Sequence, residues 1–121
     1  YTYSSTTVPA LGLEKGPITN MDGIYEIPLV GSVRYPDTLM DSWTYLENKI
    51  PPYRLREEYY ELFLETLTYM RNNRLPGILP YYADPCHVVS QTPFEKTIDL
   101  IKSKSIDTLH GRDIPKIISL K

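Results

Sequence analysis

The sequence predicts a mainly α-helical protein with three helices, at about 37–50, 53–73 and 93–109, preceded by an extended third rich in Pro and Gly. Three observations lead there. Pro9, Pro17, Pro28 and Pro36 alternate with Gly12, Gly16, Gly23 and Gly31 through residues 1–36, so no regular element longer than a few residues can run through them. From Asp37 onward the apolar residues recur at helical spacing. Finally, capping and breaking residues stand at the ends of each periodic stretch.

The extended third is not disordered in composition, because Val8, Leu11, Leu13, Ile18, Ile24, Ile27, Leu29, Val30 and Val33 are spread through it. A segment of that kind is expected to lie along a partner surface. Residues 24–35 could alternatively form a short hairpin around Pro28 to Gly31. The chain thus divides into a partner-wrapping segment, 1–36, and a small helical domain, 37–121.

The first helix is expected to begin with Asp37 as its cap and to carry Leu39, Trp43, Leu46 and Ile50 on one face. Pro51 and Pro52 end it, since the residue before a proline is pushed out of the helical region. The second helix has the strongest signal. Leu55, Tyr59, Leu62, Phe63, Leu67 and Met70 form its apolar face, and Glu57, Glu61 and Glu65 form a stripe at i, i+4 spacing. At 1.5 Å per residue it would span roughly 30 Å. Arg71 and Arg74 sit where cations offset the helix dipole, before Pro76 and Gly77 break the chain. Residues 75–91 read as a packed loop punctuated by Pro76, Gly77, Pro80 and Pro85. Thr92, Pro93 and Glu95 then supply a cap, a first-turn proline and a reciprocal carboxylate. Phe94, Ile98, Ile101 and Leu109 follow on one face of the third helix, which ends either at His110 and Gly111 or earlier, near Ser103 to Ser105. The tail from Arg112 is a short apolar run bearing Pro115.

Composition narrows the function. A chain of 121 residues holds one core. A formal charge of −2, from 13 basic and 15 acidic residues, gives no basic field to gather nucleic acid, and nucleic acid is not expected as a partner. No hydrophobic run approaches the roughly 18 residues of a membrane-spanning helix. One cysteine, Cys86, excludes an internal disulfide and the multi-cysteine metal patterns. Tyr1 in place of Met, followed by a stretch rich in Ser and Thr that lacks acidic residues until Glu14, is what a precursor cut after an organelle presequence would show.

No catalytic, cofactor-binding or metal-binding residues are assigned. Cys86 beside His87 invites a thiol-imidazole dyad, but adjacent side chains point apart, and a buried or half-buried structural cysteine is the expectation. Cys86, His87 and His110 are the entire supply of soft or imidazole ligands and lack paired-ligand spacing. Glu57, Glu58, Glu61 and Glu65 read as a solvated face near Arg54 and Arg56, or as an acidic docking surface. No phosphate loop, dinucleotide fingerprint or nucleophile elbow occurs.

Eleven tyrosines stand against two phenylalanines. Tyrosine suits surfaces where an apolar ring is covered while the hydroxyl keeps a polar partner, which favours interfaces. Tyr60 and Leu64 lie off the main face of the second helix, as expected of a helix sandwiched between two surfaces. With Tyr59, and with Tyr81 and Tyr82 of the following loop, they are the expected partner-binding residues.

At Ile50-Pro51 the sequence reaches a pattern that resembles the 14 kDa matrix-side subunit of the mitochondrial cytochrome bc1 complex (subunit 7, or ubiquinone-binding protein). That family has a helix closing in Leu-Pro, a long helix containing Tyr and Arg, a second Leu-Pro, and a helix opening around an aromatic-Leu-x-Pro-aromatic sequence. The corresponding residues are Ile50 and Pro51, Tyr53 and Arg54, Leu75 and Pro76, and Thr92, Pro93 and Phe94. The resemblance covers roughly residues 37–103. Leu11-Gly12-Leu13 is similar to the family's amino-terminal Leu-Gly-Leu. The second helix is more acidic than in the family, no Trp follows Pro76, and the segment from Gly12 to Gly31 would be an insertion. The resemblance implies a non-catalytic subunit packed on cytochrome b and the core proteins from the matrix side of the inner membrane, assisting assembly. Thr6-Thr7, Gly12-Leu13 and the Ile-Pro before a Tyr-Arg helix are also similar to the 13 kDa-type accessory subunit of respiratory complex I. A free-standing binding module, using residues 78–82 as a peptide groove, is the alternative of a different class.

Overall fold

Asp22 and Gly23 both have positive φ, 49° and 82°. A two-residue turn of that hand matches the twist of the strands it joins, and Asp-Gly adopts it at low cost. In the computed structural model, which describes residues 3–4, 19–42, 58–75, 78–80, 83–89 and 92–119, this turn links β2 (Thr19–Met21) to β3 (Ile24–Glu26). The two strands are antiparallel, with Thr19 opposite Glu26 and Met21 opposite Ile24. β1 (Tyr3–Ser4) adds in parallel on the other side of β3, pairing Tyr3 with Tyr25 and Ser4 with Glu26. The hairpin expected around Pro28 to Gly31 does not form. Its turn lies six residues upstream, because Asp-Gly supplies two positive φ angles while Pro28 supplies neither positive φ nor an N–H.

After β3 the chain buries Ile27 and Val30. It then turns back, so that Gly31 bridges Leu39 and Met40 N–H donates to the Val30 carbonyl at 3.1 Å. The intervening loop is held by Ser32, whose hydroxyl accepts the Tyr35 N–H at 2.9 Å, and by a turn in which Thr38 N–H meets the Tyr35 carbonyl at 3.1 Å. Gly31 is required by close approach. A Cβ there would sit 2.7 Å from the Tyr35 carbonyl oxygen and closer still to that of Pro36.

This pairing corrects the first expected helix. Asp37 lies in the turn rather than at a helix cap, and Leu39 and Met40 are committed to Gly31 and Val30, so helical backbone starts only at Ser42. Leu39 is 38% exposed. Trp43, Leu46 and Ile50 lie outside the described residues.

The second expected helix is present as α1 (Glu58–Asn72), and residues 53–57 lie outside the described residues. Its inward face is Tyr59, Leu62, Phe63 and Thr66. The last turn closes with a nested pair of hydrogen bonds, Arg74 N–H to the Arg71 carbonyl at 3.1 Å and Leu75 N–H to the Met70 carbonyl at 2.9 Å. Arg74 stands at φ 51° between them, the left-handed position usually given to glycine.

Two elements follow the loop after α1: α2 (Pro85–Val88), a single turn, and α3 (Thr92–Ser103). The start of α3 agrees with the capping signal to within a residue. Its end falls at the earlier of the two expected stops, near Ser103 to Ser105, and not at 109. Ser105, at φ 49°, repeats the closure of α1, with Ser105 N–H on the Lys102 carbonyl at 3.2 Å and Ile106 N–H on the Ile101 carbonyl at 3.0 Å. Leu109 is therefore not on a helical face and is 46% exposed. His110 precedes a 3-10 turn (Gly111–Asp113), which leads into α4 (Ile114–Ser119), where Ile114 is buried.

The protein is mainly helical, as the sequence predicts. α1 packs against α3. Met40, Tyr59, Leu62, Phe63 and Leu100 form the core cluster, and Tyr35, Leu67, Leu79, Val88, Phe94 and Ile101 pack around it. Residues on both sides of position 36 contribute to the buried interior. Ile27, Val30 and Met40 are buried, and the loop at 32–38 rests on α1: Val33 N–H donates to the Thr66 hydroxyl at 3.1 Å.

Candidate functional site

Among the described residues, the densest meeting of chemically capable side chains lies where Ser42 faces the start of α2. Pro85 at the first helical position presets the backbone φ for a turn. Asp84, just before it, is extended and makes no side-chain cap. His87 N–H closes the turn on the Asp84 carbonyl at 2.9 Å. That one turn brings the His87 imidazole back toward Asp84, with Nδ1 3.4 Å from Asp84 Oδ2. The same Nδ1 is 3.2 Å from Ser42 Oγ. Ser42 Oγ also accepts the Asp84 backbone N–H at 2.8 Å.

Serine, histidine and aspartate thus converge, but not as a nucleophile's activating relay. Such a relay divides the imidazole, one nitrogen facing the hydroxyl and the other the carboxylate. Here both partners share Nδ1. Ser42 is fully buried, with no face open to an incoming carbonyl, and its oxygen is already occupied by a backbone donor. The cluster ties residue 42 to residue 84, and its chemistry is that of a structural clasp. Each hydrogen bond removes a polar group that the core would otherwise strand.

Cys86, on the same turn, is exposed, which corrects the expectation of a buried or half-buried thiol. Position 86 lies one residue before His87, whose Nδ1 is turned to Ser42 and Asp84. Among the described residues, no group of three or more His, Cys, Asp or Glu side chains is placed to hold a metal ion, and no helix is long and apolar enough to cross a membrane.

The acidic stripe of α1 has a cation that sequence spacing did not identify. Arg34, from the loop at 32–38, lies across two turns of the helix, 3.7 Å from Glu58 and 3.2 Å from Glu65. Glu61 remains exposed, and Glu57, Arg54 and Arg56 lie outside the described residues. One oxygen of Glu58, Oε2, is buried with no hydrogen-bond partner.

The expected partner-binding residues separate. Tyr59 is fully buried, and its ring belongs to the chain's own core cluster. Periodicity already placed Tyr59 on the inward face with Leu62. Tyr60 and Leu64 are half-buried and pack against the core cluster, and Lys96 Nζ lies 6.0 Å from the Tyr60 ring centre. Tyr81 and Tyr82 lie outside the described residues. Among the described residues, the large apolar side chains that face solvent are others: Ile24, Leu39, Tyr69, Val89, Leu109 and Ile117. Of these Val89, just after α2, is the most open at 69%. No helical or alternating pattern singles it out, since it follows a helix of one turn.

Comparison with known proteins gives no match to this chain from family models, curated proteins or solved structures.

Proposed function

We propose that this chain is a non-catalytic accessory subunit of a mitochondrial respiratory-chain complex, the cytochrome bc1 complex first and complex I second. In this reading it sits peripherally on the matrix side of the inner membrane, against cytochrome b and the core proteins, and supports assembly and stability.

The observation that carries the binding role is the balance between covered and open apolar residues. Eight apolar residues are buried and six large ones stand more than a third exposed among the described residues. Single exposed apolar side chains are ordinary, and the proportion is what favours a surface completed by a partner. The choice of assembly rests on the sequence pattern alone: Ile50-Pro51, Tyr53-Arg54, Leu75-Pro76 and Thr92-Pro93-Phe94. A non-catalytic role is supported by the clasp at Ser42, which spends the nearest serine, histidine and aspartate on each other.

A free-standing binding module is the second reading, favoured by a different observation. The Ser42 clasp and the Arg34 bridge tie distant parts of the chain to each other through contacts within the chain itself.

Native-gel separation of gently solubilised mitochondrial membranes, followed by mass spectrometry of each band, decides between them. Co-migration with cytochrome b and the core proteins is the expected result, and co-migration with complex I selects the second assembly. Recovery only as a free monomer overturns the accessory role and leaves the binding module.

A further inference from the structure

We draw no further inference here: the strongest candidate, exposed Cys86 on the one-turn helix beside the Ser42, Asp84 and His87 cluster, is a lone thiol with no second observation pointing to a ligand, and the polar cluster next to it belongs to the site already described.

Discussion

Ser42 and Asp84 are joined by a single hydroxyl: Ser42 Oγ takes the Asp84 backbone N–H at 2.8 Å while standing 3.2 Å from the imidazole of His87. Removing that oxygen leaves a partly buried donor without its acceptor. Ser42→Ala is expected to lower the unfolding free energy by about 1–3 kcal/mol. Urea denaturation followed by circular dichroism checks it. An unchanged midpoint would show that the clasp contributes nothing to the fold.

Gly31 is fixed by space rather than by φ. A methyl group there would run into the carbonyls of Tyr35 and Pro36, which are backbone and cannot swing aside as a side chain can. Gly31→Ala is expected to destabilise by about 1–3 kcal/mol, in the range of overpacked cores. Gly23→Ala meets no atom within 4 Å but places a Cβ at φ 82°, so its cost is torsional. Comparing the two midpoints separates the causes.

The buried and exposed apolar residues respond differently. Leu62→Ala empties a fully buried site between α1 and its neighbours, with an expected loss of about 2–5 kcal/mol. Val89→Ser is expected to change stability by less than about 0.5 kcal/mol, as for surface positions generally. If Val89 lies in a partner surface, the same change weakens association with the complex while the melting curve of the isolated chain stays in place.

Both long helices close on a non-glycine residue at left-handed φ, Arg74 and Ser105. A Cβ in that conformation costs about 1–2 kcal/mol, partly offset by the greater freedom glycine gives the unfolded chain. Arg74→Gly and Ser105→Gly are each expected to stabilise by up to about 1 kcal/mol. Thermal melts of the two variants and their combination test this, and the effects should add because the sites share no hydrogen bond.

These closures also mark where the sequence stopped being legible. α1 was readable because Tyr59, Leu62 and Phe63 keep helical spacing through a stretch free of Pro and Gly, and the start of α3 because Thr92-Pro93 announces it. The end of α3 was left between two stops, because Ser105 closes it without a glycine while Gly111 farther on offers a more conventional terminus. Asp37 illustrates a different ambiguity. An aspartate after a proline suits a helix cap and a turn equally, and the choice was made by the pairing of Met40 with Val30, a contact no local window contains. The Asp22-Gly23 pair is a strong local hairpin signal that the spacing of prolines does not reveal. In the candidate site, Ser42 and His87 lie 45 positions apart, and only the fold brings them together. Arg34 reaches Glu58 and Glu65 for the same reason.

The seat of the 32–38 loop on α1 has a kinetic consequence. The Thr66 hydroxyl that receives the Val33 N–H, and the two carboxylates that receive Arg34, come into register only once that stretch has coiled, since Glu58 and Glu65 share a face only in a helix. Docking of the loop is therefore expected to follow helix formation. Thr66→Val should accelerate unfolding and leave the refolding rate nearly unchanged, as for contacts completed after the rate-limiting step. The 32–38 loop would then be the first part to detach when the chain is pulled or heated, with α1 and α3 still paired beneath it.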